Sequence, residues 1–200
     1  MLNGNIVGGN PKKERHASDF YPTPPEVTIA LMDFLELGKG TAVWDPACGE
    51  GDMTAVFAKY GLLALGSDIQ TGVDFTTVLK GRGGLEDIAD WIITNPPFSL
   101  AEEFIERCVE IGRPFALLLK TQFWHAARRE ELFYKYPPSY ILPLTWRPDF
   151  LFKEPDRAGK PLMDVCWNVW LGTGELFRLC STEYRPLSRP TKEHLKEIMK

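Results

Sequence analysis

The sequence has no apolar run approaching the roughly 18 continuous residues of a membrane-spanning helix. Its first residues, MLNGNIVGGNPKKERH, lack the apolar stretch of a secretory signal, and their Gly, Asn and Lys content predicts a flexible tail over residues 1–18. Cysteine is scarce and scattered: Cys48, Cys108, Cys166 and Cys180 stand far apart, with no C-x-x-C spacing. That pattern speaks against a disulfide framework and against a zinc site, so no metal is expected and a reducing cytoplasm is the expected location. Internal repeats and low-complexity tracts are absent. The net charge of −4 gives no hint of a nucleic-acid partner. The charge is unevenly spread, however. Residues 1–112 hold 8 Lys and Arg against 17 Asp and Glu, while residues 113–200 hold 15 against 10. A basic C-terminal part that meets phosphate would explain this, and so would chance clustering on solvated faces.

What is present is material for one domain: 200 residues, 44% of them apolar. Between residues 20 and 120 short apolar runs alternate with helical patterns. PPEVTIALMDFLELG predicts a helix opened by prolines and closed at Gly38. TAVWDP reads as a strand, GDMTAVFAKYG as a helix closed by Gly61, LLALGSDI and DWIITN as strands. SLAEEFIERCVEIG reads as a helix with Ser99 as its N-cap, and RPFALLLK as a strand. Strands alternating with helices predict an α/β fold: right-handed crossovers and a parallel sheet covered on both faces. Later, HAARREELFYKY looks helical, SYILPLTW and DVCWNVWLG look like strands, and a long basic loop, RPDFLFKEPDRAGKPLM, joins them. The polar end, TKEHLKEIMK, is an amphipathic turn or two.

In such sheets ligands sit beyond the C-terminal strand ends. Three unusual sequences fall there. Asp45-Pro46-Ala47-Cys48-Gly49-Glu50-Gly51 is a G-x-G corner between strand and helix, where glycines permit a tight turn and close approach of a ligand. Alone it is weak, since a structural turn uses the same residues. Asp68, at the next strand end, stands near the ~20-residue step at which a carboxylate meets a ribose hydroxyl. The corner lacks the third glycine of nicotinamide sites, and Glu50 and Asp52 would repel pyrophosphate. A nucleoside with a cationic or zwitterionic tail suits these acids better, and S-adenosylmethionine is one. Asp74 and Phe75 suit an adenine amino group and ring face; a loop acid and a core ring suit them equally. The third sequence, Trp91-Ile92-Ile93-Thr94-Asn95-Pro96-Pro97-Phe98, ends a buried strand on a stiff, polar, aromatic corner.

DPACGEG, the acid of SDI, DF and NPPF, in this order and spacing, resemble the S-adenosylmethionine-dependent amino-methyltransferases, and among them the DNA adenine methyltransferases with the cofactor motif first. Tyr21-Pro22-Thr23-Pro24, within DFYPTP, looks like the family segment that closes over the cofactor's methionine end. The resemblance covers roughly residues 19–125 and implies a Rossmann-like class I methyltransferase fold with a seven-stranded, mostly parallel sheet. It implies a catalytic domain over 19–175, with a basic substrate loop at 145–163 and a C-terminal extension at 176–200. It implies cofactor contacts from Tyr21, Thr23, Pro24, Asp45, Pro46, Ala47, Cys48, Gly49, Gly51, Asp68, Ile69, Asp74 and Phe75, and a catalytic corner of Asn95, Pro96, Pro97 and Phe98.

The chemistry suits those residue types. An exocyclic amino nitrogen is a poor nucleophile because its lone pair is delocalised, while a sulfonium methyl is already activated. The corner must therefore accept the two N–H groups and turn the lone pair toward the methyl. The Asn95 oxygen and the Pro96 carbonyl supply acceptors, Pro97 holds Pro96 extended, and Phe98 offers a stacking face. A duplex adenine must also leave its stack. Lys120, Trp124, Arg128, Arg129, Trp146, Arg147, Phe150, Lys153, Arg157 and Lys160 are candidates to hold it, with TWRPDF as a second pocket wall. Trp167 and Trp170 read as core, and His125 as a helix-start residue.

Sequence-specific relatives carry a further base-reading domain for which this chain has no room. Loose recognition, a single-stranded substrate, a homodimer or a specificity partner is then expected, as in small phage or prophage forms. Rival readings are a methyltransferase on an RNA base or a protein glutamine, a catalytically silent binding module, and a NAD-linked oxidoreductase, which the glycine corner disfavours.

Overall fold

The computed structural model describes residues 21–77, 84–154, 156, 158–159, 163–172 and 181–200. The expected tail, Asp19, Phe20, Arg157, Lys160 and Cys180 lie outside them. The strands are β1 (Ala42–Asp45), β2 (Leu63–Gly66), β3 (Trp91–Thr94), β4 (Phe115–Lys120), β5 (Tyr140–Pro143), β6 (Val165–Trp170) and β7 (Glu183–Tyr184). The α-helices are α1 (Pro25–Leu35), α2 (Asp52–Lys59), α3 (Leu85–Ile88), α4 (Ala101–Ile111), α5 (Glu130–Lys135) and α6 (Lys192–Met199).

All seven strands form one sheet in the order β2-β1-β3-β4-β6-β5-β7. β1 pairs in parallel with β2 and β3, β3 with β4, and β5 with β7; β6 runs antiparallel to β4 and β5. From β1 the chain goes one way to β2 and the other way to β3 and β4. The gap between the ends of β1 and β3 is thus a topological switch point, where open α/β sheets bind ligands.

Strand parity explains how the apolar run of β4 covers two faces. Ala116 and Leu118 join the core under α1 and α2, with Val43, Ile93, Trp167, Leu31 and Phe57. Phe115, Leu117 and Leu119 join the opposite core, with Ile92, Ile105, Cys108 and Trp170. Buried indoles need acceptors. Trp167 donates to the Val27 carbonyl at 3.0 Å and Trp170 to the Tyr136 carbonyl at 2.9 Å, so both are core residues as expected.

Several boundaries differ from the expected ones. α1 stops at Leu35, because Glu36 takes the left-handed conformation (φ 48°) and donates to the Met32 carbonyl; Gly38 is not the closing residue. Gly61, at φ 74°, does follow the end of α2. α4 begins at Ala101 with Leu100 as N-cap, since a 3₁₀ turn over Phe98–Leu100 takes up Ser99. The N–H of Leu100 donates to the Pro97 carbonyl at 2.9 Å, continuing the proline corner into that turn. The expected helix at 125–136 is shorter, because a 3₁₀ turn at Ala127–Arg129 precedes α5. β7 has no apolar signal in its two exposed residues, yet it extends the sheet. Leu195 and Ile198 of α6 pack against the core. No helix of the described residues is long and apolar enough to cross a membrane.

Candidate active site

The turn after β1 is shaped by two glycines in the left-handed region, Gly49 (φ 51°) and Gly51 (φ 90°). A Cβ on Gly51 would meet the Thr54 hydroxyl at 3.0 Å, in a backbone conformation other residues rarely adopt. The turn is tied to the end of β2: Cys48 N–H donates to the Ser67 carbonyl at 3.0 Å, and Gly49 N–H donates to Asp68 Oδ2 at 2.9 Å. Asp68 Oδ1 accepts from Gln70 N–H at 2.8 Å. This buried acid therefore fixes the corner and still keeps lone pairs for a ligand.

The switch point itself is bridged. The Thr94 hydroxyl, ending β3, donates to Asp45 Oδ1, ending β1, at 2.6 Å, and Ala47 N–H donates to the same oxygen at 3.2 Å. Burial raises the Asp45 carboxyl to about 7, against the lowering effect of the Thr94 and Ala47 hydrogen bonds, and nearby Asp68 raises it further. A cation arriving here would favour the ionised form.

Next to Thr94, the Asn95 carboxamide is held from one side. Its Nδ2 donates to the Tyr21 carbonyl at 3.2 Å and the Thr23 hydroxyl oxygen at 3.0 Å. Its Oδ1 is buried and has no partner among the described residues. Asn95 lines a cavity together with Tyr21, Thr23, Asp45, Pro46, Ala47, Cys48, Asp68, Ile69, Asp74, Phe75 and Pro97. Burial and the charges of Asp45 and Asp68 push the Cys48 thiol up, which keeps it a thiol.

Of the expected cofactor residues, Pro24 instead opens α1 as its N-cap, and Gly49 and Gly51 build the turn rather than the cavity wall. Asp74 Oδ1 accepts from the amide and hydroxyl of Thr76 at 3.0 and 2.7 Å, and the Thr76 hydroxyl bond above all lowers its carboxyl. Phe75 is buried edge-on against Trp44 with centroids 5.2 Å apart, and 4.8 Å from Phe104, while also lining the cavity. Met53, Gln70, Val73, Leu100 and Phe104 also line it and escaped the sequence reading. Leu100 and Phe104 had a signal: they follow NPPF at the i, i+4 spacing of one helix face.

The expected substrate residues need correction. Phe150 is fully buried, edge-on to Tyr21 at 6.3 Å, so it backs the cavity wall and cannot be an open second wall. Trp124 donates to Asn168 Oδ1 at 2.8 Å and packs against Phe123, Phe133 and Trp170, away from the Asn95 cavity. Trp146 packs on the α1-side core, with its indole N–H buried and without a partner among the described residues. Arg147 pairs with Asp164 at 2.7 Å, and Arg128 and Arg129 both reach Glu102. Lys153 bridges Glu50 and Asp52 at 2.8 and 2.7 Å, so the acid pair beside the glycine corner is answered from within the chain. The Lys120 ammonium lies 4.5 Å from the centre of the Phe98 ring. Phe98 and Lys120 line a neighbouring pocket, and Pro96 is buried.

No family model and no curated protein matches the sequence. Solved structures do share the architecture. One is a Listeria monocytogenes protein for which class I S-adenosylmethionine-dependent methyltransferase activity is proposed. It aligns with TM-score 0.53 at 14% identity, over 94% of this chain and 73% of that one. A Vibrio vulnificus YJ016 protein, proposed as the modification subunit of a type I restriction enzyme, gives 0.53 at 17%, over 90% and 49%. A Pyrococcus horikoshii protein, proposed as an RNA methyltransferase, gives 0.54 at 17%, over 85% and 95%. The chain has the Rossmann-like class I methyltransferase fold. It spans about half the length of the Vibrio subunit. Within this fold the Asn95 cavity lies where β1 and β3 diverge.

Proposed function

We propose that this chain transfers a methyl group from S-adenosylmethionine to the exocyclic amino group of adenine in DNA. The observation that carries the reading is the Asn95 oxygen: a buried acceptor without a partner among the described residues, on a residue that lines the cavity at the switch point. Leaving such an atom unpaired costs about 1–3 kcal/mol, which a bound amino group would recover.

The lining fits the cofactor. Ribose hydroxyls, an ammonium and a sulfonium present donors and positive charge, and Asp45, Asp68 and Asp74 present acceptors. Ile69, Val73 and Phe75 give apolar surface for a purine. When bound, the cofactor supplies an activated methyl on a sulfonium. The chain's own part is positioning. Asn95 Oδ1 accepts one amino N–H and the Pro96 carbonyl accepts the other, which turns the nitrogen lone pair out of conjugation. Both oxygens are too weakly basic to remove a proton beforehand, so the proton leaves the nitrogen after transfer. Phe98 stacks on the target ring once the Lys120 ammonium yields its place.

DNA is preferred to RNA or a protein glutamine because the order of DPACGEG and NPPF resembles that of the DNA adenine enzymes. The experiment is nucleoside mass spectrometry on DNA from a bacterial host stripped of its own DNA methyltransferases and expressing this chain. N6-methyladenine is expected, and should vanish with Asn95→Ala. Unmodified DNA together with labelled methyl in RNA or protein would transfer the reading to that substrate.

A further inference from the structure

We infer that Thr23 is a positioning residue for the transfer step: the Tyr21 carbonyl sets which end of the Asn95 carboxamide is which, and the Thr23 hydroxyl holds the amide there so that its oxygen meets the amino group. The inference rests on the methyl-transfer reading above. The two ends of a carboxamide are nearly the same size, and a half-turn exchanges an acceptor for two donors. Flipped, Asn95 would present N–H to N–H and could not bind an amino group. The Tyr21 carbonyl can only accept, so it demands Nδ2 and sets which way round the amide lies; the Thr23 hydroxyl, which can both donate and accept, takes the other Nδ2 hydrogen and holds the amide plane in that orientation. With both hydrogens bound, Oδ1 is the one polar atom of the amide left over.

Thr23 is well placed for this. It is 4% exposed and immediately precedes Pro24, which biases it to extended backbone. Pro24 itself has φ −57° and ψ 138°, and its carbonyl accepts the Val27 N–H at 2.9 Å in the first turn of α1. The hydroxyl is therefore fixed by the start of a buried helix, from 72 residues away in sequence. Sequence reading placed Thr23 on the cofactor's methionine end, and nothing in the spacing pointed to Asn95.

A matched pair of variants separates positioning from packing. Thr23→Val keeps the shape and removes the hydroxyl; Thr23→Ser keeps the hydroxyl and removes a methyl. With cofactor saturating, the single-turnover rate should fall about tenfold in Thr23→Val and stay within about twofold in Thr23→Ser, with cofactor affinity changed much less than the rate. The second readout needs no activity: the side-chain amide signals of Asn95 in ¹⁵N-resolved NMR, assigned by their loss in Asn95→Ala. In the free protein, one of the two hydrogens should lose its exchange protection in Thr23→Val and keep it in Thr23→Ser. If the amide signals are unchanged in Thr23→Val, or if Thr23→Ser is the impaired variant, the inference is overturned. If the signals respond as expected but the wild-type chain methylates no amino-bearing substrate, the restraint on the amide stands and the methyl-transfer reading fails.

Discussion

Residues 42–120 and 121–200 share one sheet but place their charges in opposite ways. In the first stretch Asp45 and Asp68 are buried at strand ends, held by backbone amides and a threonine, and line a cavity. In the second, several cations, most of them at the surface, stand beside a carboxylate of the same chain: Arg129 with Glu102, Arg147 with Asp164, Lys153 with Glu50 and Asp52, Arg185 with Glu183, Arg189 with Glu26. A surplus of base in a sequence is thus not a patch for phosphate until its partners are known. The exposed pairs are weak, so they can exchange partners, whereas the buried acids cannot.

The sharpest way to break the comparison is Asn95→Ala. Transfer should fall about a hundred- to a thousandfold while cofactor titration by calorimetry stays near wild type. An undiminished rate would return the proline corner to a turn of purely structural meaning. Phe150→Ala addresses the other stretch. It should cost about 3–5 kcal/mol in denaturant unfolding, as a large buried ring does, whereas a pocket-wall ring would cost far less.

Asp45 gives a pH signature. The unfolded carboxyl ionises near 3.8 and the folded one near 7. The folded form's relative stability is therefore complete below pH 3.8 and is lost as pH rises through about 7. Asp45→Asn should gain on wild type in melting temperature across that window, and a cationic ligand should bind wild type more tightly as pH rises through it. A pH-independent difference would remove the buried-acid account. Smaller still, Lys153→Gln should speed cofactor exchange by about twofold at low salt and not at high salt, in stopped-flow release. The smallest effect tests the surface cations directly. Arg147→Ala should weaken binding to a DNA oligonucleotide slightly, and Asp164→Ala, which frees Arg147, should strengthen it.

The parallel part of the sheet was readable because each strand there is an apolar run cut off by a turn signal, and because Asp45, Asp68 and Asn95 fall at such cuts. The rim of one cavity does bring these three together. The second stretch was less readable for physical reasons. Aromatic residues such as Trp124 and Phe150 serve a core as well as they serve a stacking site, and composition does not distinguish the two. The partners of Lys153 and Arg189 lie 101 to 163 residues away, beyond any local pattern. The hydroxyl that restrains Asn95 was hidden in the same way.

One bond bears a last consequence. Thr94 reaches across the switch point to Asp45, and the next residue, Asn95, carries the free acceptor. The residue that ties the two strand ends together and the residue that carries the unpartnered oxygen are neighbours along the chain, about 3.8 Å apart between their Cα atoms. A shift of the end of β3 therefore carries both with it, and the link from Asn95 back to Asp45 runs through one peptide bond and one hydrogen bond.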